Sequence, residues 1–501
     1  MGFKLNSLYR TDGYKVGHKA MLAPGTEYLH GTWIPRSIKY APKGCTKVVS
    51  FGQQYVWKFI NDEFVDNFFS QPEEVAMEFS KDMAMYLGLP YDGTHFVELH
   101  RLGYLPLNVK SLPEGIETDA NVPHMTFVNT VAGFAWLTLY LETLVSSLAW
   151  KPSTSATIAL AYKRNVEEWV NKTDPERSFL KPWMCHDFSA RGLNPEDMIS
   201  SGMGHATSFL GSDTLPVIPA TRYYYNVPKY QMPIGSVNAS EHSVSTTKIF
   251  TVGEQQMLSD WMKIFPTGIL SVVSDTFDLW RLITEYLPAL KDEILARDGK
   301  LVIRPDSGDP VDIICGLNDA TLCDDGKYYT LDRINSDPRS IHEVKGVIEL
   351  LWDIFGGTIN EQGYKVLDPH IGAIYGDSIT LERQVQIYER LAAKGFAATN
   401  IVLGIGSFTY QYNTRDTFGF AAKGAWFKTK DGEFDIYKDP VTDDGFKKSY
   451  RGLVQVKNGV VKDHCTKEEE ENSDLKSIFI DGKFVNECSF DDIRANIEKI
   501  L

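Results

Sequence analysis

The sequence has few cysteines for its length and fewer basic than acidic residues, and each shortage excludes a class of protein. Its 501 residues include six cysteines. They form no C-x-x-C pair, so neither a disulfide framework nor a zinc site is expected. The chain carries 51 basic and 66 acidic residues, a formal charge of −15, which gives no overall attraction for nucleic acid or anionic lipid. We therefore expect a metabolic enzyme of the cytoplasm with reduced thiols, which binds neither nucleic acid nor a membrane.

Long apolar runs are also scarce. The first ten residues contain no apolar stretch, which predicts that there is no secretory signal. The longest apolar stretch, residues 130–150, is interrupted by Glu142 and by five serine or threonine residues. It is expected to be a buried or subunit-facing helix rather than a membrane span. The acidic run Glu468–Glu471 is expected to be a solvated loop.

The order of the predicted elements divides the chain into three regions of an α/β protein. Residues 1–150 mix short strands and helices and are expected to form an N-terminal α+β domain with a dimer-facing helix. In residues 151–425, short β-branched runs alternate with amphipathic helices, which indicates a parallel sheet, either open or closed into a barrel. Residues 426–501 contain hairpins and a final helix, and they are expected to return to the N-terminal domain.

Helix and turn signals support this division. Leu381, Val385, Tyr388 and Leu391 share one helical face, and Thr380 before them is a candidate N-cap. Asp-Gly dipeptides are typical of hairpin turns, and serine followed by an acidic residue three positions later indicates a helix start. These signals predict a helix over Pro72–Gly88, turns at Asp431-Gly432 and Asp481-Gly482, and a last helix that begins near Ser489.

Small and charged residues follow four of the predicted strands. The strands are Ile269–Ser274, Leu301–Ile303, Ile371–Tyr375 and Ile401–Leu403, and the residues after them are Asp275, Arg304 to Gly308, Gly376 to Ser378, and Gly404 to Ser407. The carboxyl ends of parallel strands share one crevice, where ligands bind. Small residues let backbone N–H groups approach phosphate, and aspartates can hold sugar hydroxyls or Mg²⁺. The pattern predicts a ribose-phosphate site that carries a metal-bound polyphosphate.

Eight segments, in this order, resemble the nicotinamide phosphoribosyltransferases, which are type II phosphoribosyltransferases. They are TDGYK (Thr11–Lys15), HDFSARG (His186–Gly192), SEHS (Ser240–Ser243), SVVSDTFD (Ser271–Asp278), IRPDSGDP (Ile303–Pro310), YGDS (Tyr375–Ser378), the stretch Gly404–Arg415, and YKDPV (Tyr437–Val441). The resemblance implies an incomplete or irregular (β/α) barrel core, with an additional α+β domain built from N- and C-terminal segments. It also implies transfer of phosphoribose from 5-phosphoribosyl 1-pyrophosphate to nicotinamide, which yields nicotinamide mononucleotide and pyrophosphate in NAD salvage.

The same resemblance implies roles for residues of the core. His242 would be phosphorylated by ATP, an optional co-substrate, and Asp275 and Asp306 would hold Mg²⁺ through water or diphosphate. The remaining roles are pyrophosphate binding by Arg191, His242 and Arg304, ribose binding by Asp306 and Asp377, and 5′-phosphate binding by Gly376, Gly406, Ser407 and Arg415. His242, Asp306, Asp275 and Arg304 are the catalytic candidates.

The nicotinamide ring and the subunit interface are implied in the same way. Phe188 would stack on one face of the ring, and Tyr14 from the neighbouring subunit of a homodimer on the other. Asp12, in the same segment as Tyr14, also belongs to the predicted substrate site. Further phosphate-binding cations, several of them from the partner subunit, would be Arg36, Lys423, Lys438 and Lys447.

Two alternatives remain. A nicotinate phosphoribosyltransferase would share the fold and the donor, but the carboxylate of Asp213 can accept a hydrogen bond from an amide and would repel the carboxylate of nicotinate. A non-catalytic phosphosugar-binding protein of the same fold would not need Arg191, His242, Arg304 and Asp306 together.

Overall fold

The computed structural model describes residues 4–330, 338–376, 378–442 and 449–501. The strands are β1 Thr26–Ile34, β2 Val48–Ser50, β3 Leu107–Ser111, β4 Ile116–Thr118, β5 Met125–Asn129, β6 Cys185–Phe188, β7 Asn238–Ala239, β8 Thr267–Val273, β9 Asp298–Arg304, β10 Ala320–Leu322, β11 Tyr328–Thr330, β12 Gly357–Ile359, β13 Lys365–Leu367, β14 Ile371–Tyr375, β15 Ile401–Gly406, β16 Ala421–Thr429, β17 Glu433–Asp435, β18 Leu453–Lys457, β19 Val460–Cys465, β20 Lys476–Ile480 and β21 Lys483–Phe484.

The α-helices are α1 His18–Met21, α2 Gln53–Phe64, α3 Glu74–Leu87, α4 Thr94–Leu102, α5 Ala135–Tyr140, α6 Glu142–Thr173, α7 Pro195–Ala206, α8 Val217–Tyr224, α9 His242–Val252, α10 Glu254–Ile264, α11 Leu279–Arg281, α12 Leu287–Ala289, α13 Lys291–Leu295, α14 Pro310–Cys315, α15 Ile341–Phe355, α16 Leu381–Ala393, α17 Ser407–Gln411, α18 Lys467–Glu471 and α19 Phe490–Glu498. Short 3₁₀ and π turns lie between some of them. Over the described ranges, none of the helices is both long and apolar enough to cross a bilayer.

The elements form two compact units. Unit 1 comprises residues 1–157, 219–231 and 413–500, and unit 2 comprises mainly residues 158–218 and 232–412. The domain boundaries expected at residues 150 and 425 lie inside α6 and β16.

Unit 1 contains a seven-stranded sheet in the order β17-β16-β1-β5-β3-β20-β21. All of its strand pairs are antiparallel. The C-terminal strands complete the N-terminal ones, because β16 pairs with β1 and β20 pairs with β3. One face of the sheet packs on aromatic side chains, with the ring of Trp57 at 6.1 Å from Phe127 and 5.8 Å from Phe479. The additional α+β domain built from both ends of the chain is therefore confirmed.

Unit 2 contains a curled parallel sheet in the order β6-β15-β14-β9-β8-β7. Two parallel bridges, Asp187 to Ser212 and Gly211 to Gly235, continue the pairing from β6 toward the segment that precedes β7. The strands are therefore arranged around an interior, although single bridges rather than a continuous ladder of pairs connect β6 to the segment before β7. This confirms the predicted incomplete or irregular barrel core.

The local predictions hold for most elements and are wrong in two details. Helix α16 begins after Thr380, whose hydroxyl accepts a hydrogen bond from the Arg383 N–H at 3.2 Å. Its buried face includes Gln384 and Ile387, whereas Leu381 and Val385 are half-buried. The Gln384 amide enters the interior because it donates to the carbonyl of Tyr162 at 3.2 Å. The predicted helix over Pro72–Gly88, both Asp-Gly turns and the capped last helix are confirmed.

The acidic run is the second detail. It is not a solvated loop but helix α18, which Thr466 and Glu469 begin with a capping box. Glu470 of this helix is buried and forms an ion pair with Lys110 at 2.8 Å. No local pattern predicts this pair, because its two members lie 360 positions apart.

Candidate functional site

The carboxyl ends of the unit 2 strands bring three predicted catalytic residues together. His242 is the first residue of α9, just after β7, and Asp275 and Asp306 follow β8 and β9. One ligand atom from each of the three lies within 4.8 Å of the others. The parallel register of β8 and β9, which pairs Val273 with Arg304, sets the two aspartates side by side.

The two oxygens of Asp275 have different environments. Oδ2 accepts hydrogen bonds from the backbone N–H of Asp306 at 3.0 Å and from the Ser307 hydroxyl at 2.5 Å. Oδ1 is buried and has no hydrogen-bond partner among the described residues. A buried carboxylate oxygen without a partner is costly unless a cation or donor reaches it. The aspartate is therefore held by one oxygen and free to bind through the other.

His242 faces the same group. Its Nε2 lies 3.1 Å from Oδ1 of Asp306, and its Nδ1 lies 3.3 Å from the hydroxyl of Thr276. When Nε2 carries the proton that Asp306 accepts, Nδ1 keeps its lone pair. The side chain is 45% exposed, so the ring is oriented by the protein and still open to a ligand.

A cavity of about 490 Å³ runs inside the curled sheet of unit 2. Phe188, Asp213 and Arg304 line it at the carboxyl ends of the strands, and apolar side chains such as Val302 and Ile374 line its interior. The Arg304 guanidinium lies 5.7 Å from the centroid of the Phe188 ring. An aromatic face, a cation and a carboxylate thus meet in one pocket, which suits a small aromatic ring with a polar substituent.

Arg304 is a largely buried cation. Burial lowers its pKa, although the negative charges of Asp306 and Asp213 oppose this. A guanidinium stays protonated at neutral pH in spite of such a shift. Its Nε is buried without a hydrogen-bond partner among the described residues. The free donor and the fixed positive charge can bind an anionic oxygen.

Asp213 is held in its ionised form. Burial would raise its pKa, but the hydrogen bonds from His186 and Ser236 and the charge of Arg304 outweigh burial and lower it. His186 Nε2 donates to the carboxylate at 2.9 Å, and the Ser236 hydroxyl donates to the same oxygen. The carboxylate therefore presents an oriented acceptor to the cavity.

Two glycines allow the loops of this region to approach one another. A Cβ on Gly404 would lie 2.8 Å from both the Phe188 ring and the carbonyl oxygen of Tyr375, and 2.9 Å from Cα of Gly376. A Cβ on Gly192 would lie 2.2 Å from Cβ of Ser407. Larger residues at these positions would push apart the loops that carry Phe188, Gly376 and Ser407. The structure thus brings the predicted Gly376 and Ser407 close to the ring pocket, and Gly406 lies beside them at the end of β15.

Arg191 is exposed in the short turn Ala190–Gly192 that follows β6 in unit 2, and its positive charge acts on Arg304. Other predicted residues lie in unit 1. Asp12, Tyr14 and Arg415 line a second cavity of about 290 Å³. The Thr143 hydroxyl donates to the Asp12 carboxylate at 2.7 Å, and Tyr14 is 64% exposed. Arg415 therefore belongs to a different unit from Gly376, Gly406 and Ser407, with which the resemblance grouped it.

A basic cluster of unit 1 gathers the other predicted cations. Burial lowers the pKa of Lys423, and although Glu142 opposes this, the positive charges of Arg36, Lys438 and Arg415 lower it further. The Arg36 Nε donates to the carbonyl of Gly419 at 2.9 Å. Such a concentration of positive charge suits a polyanion. Asp377 and Lys447 lie outside the described residues.

Several functional candidates were missed by sequence reasoning. His186 and Ser236 orient Asp213, Thr276 contacts His242, and Ser307 holds Asp275. His186 could have been found, because it lies two positions before Phe188 and its side chain therefore projects to the same side of a strand. Ser236 and Thr276 carry no such signal.

Comparison with known proteins agrees with this geometry. The profile of the nicotinate phosphoribosyltransferase (NAPRTase) family matches residues 183–483. The chain is 40% identical to a nicotinamide phosphoribosyltransferase of Acinetobacter baylyi, with 100% of this chain and 99% of the relative covered. It is 31% identical to a nicotinamide phosphoribosyltransferase of Mycoplasma pneumoniae, over 88% of this chain and 93% of the relative.

Solved structures share the fold at low identity. A nicotinate-nucleotide pyrophosphorylase from Pyrococcus furiosus superposes with a TM-score of 0.56 at 15% identity, covering 100% of this chain and 96% of the other. The human nicotinic acid phosphoribosyltransferase superposes with a TM-score of 0.55 at 13% identity, covering 98% of this chain and 93% of the other. With the profile match and the full-length relatives, the chain belongs to the nicotinate phosphoribosyltransferase (NAPRTase) family.

Proposed function

We propose that this protein is a nicotinamide phosphoribosyltransferase. It transfers the phosphoribosyl group of 5-phosphoribosyl 1-pyrophosphate to nicotinamide and releases nicotinamide mononucleotide and pyrophosphate, a step of NAD salvage. The observation that carries the proposal is the ionised carboxylate of Asp213 in the cavity that Phe188 and Arg304 also line. The names of the relatives that match over nearly the whole chain support it.

The reaction exchanges one bond at the anomeric carbon for another. The bond from this carbon to the pyrophosphate oxygen breaks and its electron pair leaves with pyrophosphate, while the lone pair of the pyridine nitrogen forms the new C–N bond. Negative charge grows on the leaving group, and the fixed positive charge of Arg304 lies where it can stabilise that charge. Phe188 supplies an aromatic face against which the ring is oriented for attack.

The carboxylate of Asp213 favours the amide over the acid. It can accept a hydrogen bond from the –NH₂ of nicotinamide, whereas nicotinate would set a second carboxylate against it. Like charges in a largely desolvated pocket cost several kcal/mol. Because His186 and Ser236 already donate to Asp213, the carboxylate does not turn away from the cavity.

A competition experiment tests the substrate. Purified protein receives equal amounts of labelled nicotinamide and nicotinate with 5-phosphoribosyl 1-pyrophosphate and Mg²⁺, and both mononucleotides are measured. We expect nicotinamide mononucleotide to dominate. Preferential use of nicotinate would favour the nicotinate phosphoribosyltransferase alternative. Absence of either product, with donor binding retained, would favour a non-catalytic phosphosugar-binding protein.

Mg²⁺ is proposed as the cofactor, and the residues present fit it. Asp275 and Asp306 offer hard oxygen ligands. The buried Oδ1 of Asp275 has no hydrogen bond among the described residues, although Nε2 of His242 lies 3.7 Å from it. Bound there with the donor, the ion would neutralise charge on the diphosphate. The two aspartates would hold the metal or its waters, and Asp306 would also hold a ribose hydroxyl. Chelation with EDTA should abolish transfer, and added Mg²⁺ should restore it.

ATP is proposed as an optional co-substrate that phosphorylates His242. The ring is partly exposed, and when its Nε2–H donates a hydrogen bond to Asp306 its Nδ1 carries a lone pair, with the Thr276 hydroxyl 3.3 Å away. Such a nitrogen suits a phosphoryl acceptor. His242→Ala should abolish acid-labile labelling of the protein by ATP and leave a weaker basal transfer. His370→Ala is the matched control, because His370 also contacts an aspartate, at 2.7 Å from Asp368. Equal labelling of His242→Ala and wild type would remove His242 from this role.

We also propose that the protein forms a homodimer with shared active sites and that it acts in the cytoplasm. It rests on the resemblance, which assigns Tyr14 and several cations to the partner subunit. The basic cluster of Arg36, Lys423, Lys438 and Arg415 supports a phosphate-binding role for this part of unit 1. Tyr14 is exposed, as a residue that serves a neighbouring subunit would be in a single chain.

A further inference from the structure

One face of the large sheet of unit 1 carries polar side chains to which the proposed reaction assigns no role. His30 of β1 pairs with Trp426 of β16 on one side and with Val128 of β5 on the other. Lys110 of β3 pairs with Thr126 of β5. Since side chains alternate along a strand, residues at these positions project to the same side of the sheet, opposite the aromatic core that contains Phe127.

This face is partly covered, and a cavity lies beside the cover. Residues of β18 and α18 and of the strands line a partly open cavity of about 300 Å³. Polar side chains of the face are nevertheless buried, with Thr126 and His30 each 2% exposed. An antiparallel sheet ordinarily leaves its polar face in water. The cavity therefore gives a bound molecule access to these buried polar groups.

His30 is the group that most needs a partner. Both ring nitrogens are buried and neither has a hydrogen-bond partner among the described residues. Burial lowers the pKa of His30 to about 3, and the nearby charge of Lys110 adds to this effect. The ring is therefore neutral at physiological pH and offers one N–H donor and one nitrogen acceptor. Leaving both unsatisfied in a buried position is unfavourable.

The charges around the cavity balance. Each of the three lysines that line it lies within ion-pair distance of a glutamate: Lys110 at 2.8 Å from Glu470, Lys467 at 2.6 Å from Glu433, and Lys428 at 3.7 Å from Glu433. An ionised ligand would have to break one of these pairs to find a counter-charge. A neutral ligand leaves all of them in place.

The shape and chemistry of the lining residues narrow the class of ligand further. The side chains of Tyr28 and Trp426 contribute aromatic surface to the cavity, next to the imidazole of His30. Planar rings pack well against such surface. A ring that carries its own donor and acceptor would also satisfy the two nitrogens of His30.

We propose that this cavity binds an uncharged nitrogen heteroaromatic molecule that carries a hydrogen-bond donor and an acceptor, the chemistry shared by nucleobases and pyridine carboxamides. The site lies wholly in unit 1 and is separate from the Asp213 cavity in unit 2. It is therefore a second binding site, and its existence does not depend on the reaction proposed above.

Calorimetric titration of the full-length protein tests the site with two probes, adenine for the nucleobases and nicotinamide for the pyridine carboxamides. His30→Phe keeps an aromatic ring of similar size and removes both nitrogens. Since two hydrogen bonds are lost, His30→Phe should weaken the binding of whichever probe occupies this cavity about tenfold or more. Val128→Phe leaves His30 in place and fills part of the cavity, so it should weaken the same binding.

His95→Phe is the control, because His95 is another buried histidine of unit 1 that does not line this cavity. It should leave the affinity unchanged. Weakening of adenine binding in the His30 and Val128 variants identifies a nucleobase site. Loss of one of two nicotinamide-binding events per chain identifies a pyridine carboxamide site, the remaining event being that of unit 2. If neither variant changes the binding of either probe, or if neither probe binds wild type, the proposal is wrong. Should His30→Phe fail to fold, Val128→Phe alone decides.

Discussion

The two units use histidine in different ways. In unit 1, His30, His95 and His124 are buried, and burial lowers the pKa of each to about 3. In unit 2, His186 and His242 lie at the carboxyl ends of the strands, and each contacts an aspartate, at 2.9 and 3.1 Å. The first group is kept neutral by apolar surroundings, while the second is oriented by charge. At the strand ends of unit 2, an aspartate thus orients each of these two histidines.

Unit 2 also contains one fully buried histidine, and it differs from His30 in an informative way. Burial lowers the pKa of His205 as well. However, its Nδ1 lies 2.8 Å from the Tyr410 hydroxyl and its Nε2 lies 3.1 Å from the carbonyl of Gly211. A structural histidine in this protein can therefore satisfy both nitrogens, which makes the two free nitrogens of His30 stand out.

Among the charged residues of the unit 2 site, Arg304 should show the largest effect on activity. Arg304→Gln keeps polarity and removes the charge, so kcat/KM for mononucleotide formation should fall about 10²–10³-fold, as for loss of one transition-state donor. Steady-state kinetics measures this. Arg297→Gln is the matched control, since Arg297 is anchored by the carbonyl of Phe265 at 2.8 Å near the amino ends of the strands. An equal loss in both variants would mean that Arg304 acts through folding.

The aromatic residues test whether the ring pocket is shared between subunits. In the proposed homodimer, Tyr14→Ala and Phe188→Ala should each lower activity about tenfold to a hundredfold, because each loses the burial of one ring face as well as about 1 kcal/mol of stacking beyond it. Mixing the two variants under subunit exchange should restore one intact site per heterodimer, which carries wild-type Tyr14 and wild-type Phe188. Exchange is verified by mass. If exchange occurs and activity stays at the parental level, the pocket is not built across the interface.

Sequence reasoning predicted the parallel sheet and the strand-end residues because both follow from local patterns, whereas the incomplete barrel was implied by the family resemblance. Asp275 and Asp306 come directly after buried strands, and parallel topology brings such positions together. The ion pair of Lys110 with Glu470 and the hydrogen bond from Ser236 to Asp213 depend on distant pairings that no local pattern encodes. The free nitrogens of His30 are likewise a property of packing. The roles of Tyr14 and the basic cluster stay predictions.

Asp213 should show a smaller effect that is confined to substrate choice. Asp213→Asn keeps the shape and removes the negative charge, so the ratio of kcat/KM for nicotinamide to that for nicotinate should fall about tenfold or more, which corresponds to about 1.4 kcal/mol. Both substrates are measured with the same enzyme preparation. Ser236→Ala removes only one donor to Asp213 and should change the ratio less. An unchanged ratio in Asp213→Asn would mean that the carboxylate does not select the amide.

The smallest effect concerns the neutral histidines of unit 1 and appears only in acid. The pKa of His95 is about 3 in the folded protein and about 6.5 when unfolded. Between these values the unfolded state binds a proton that the folded state does not, so stability falls as the pH drops below about 6.5. One such group contributes a slope of about 1.4 kcal/mol per pH unit. His95→Phe should lower the slope of the free energy of unfolding by about this amount between pH 6 and 4.5, as measured by urea titration. Comparison at pH 7.5, where the imidazole is neutral in both states, gives the packing effect of the substitution separately. A slope equal to that of wild type would show that His95 takes up its proton in the folded protein, and the contrast between the two units would then fail at this residue.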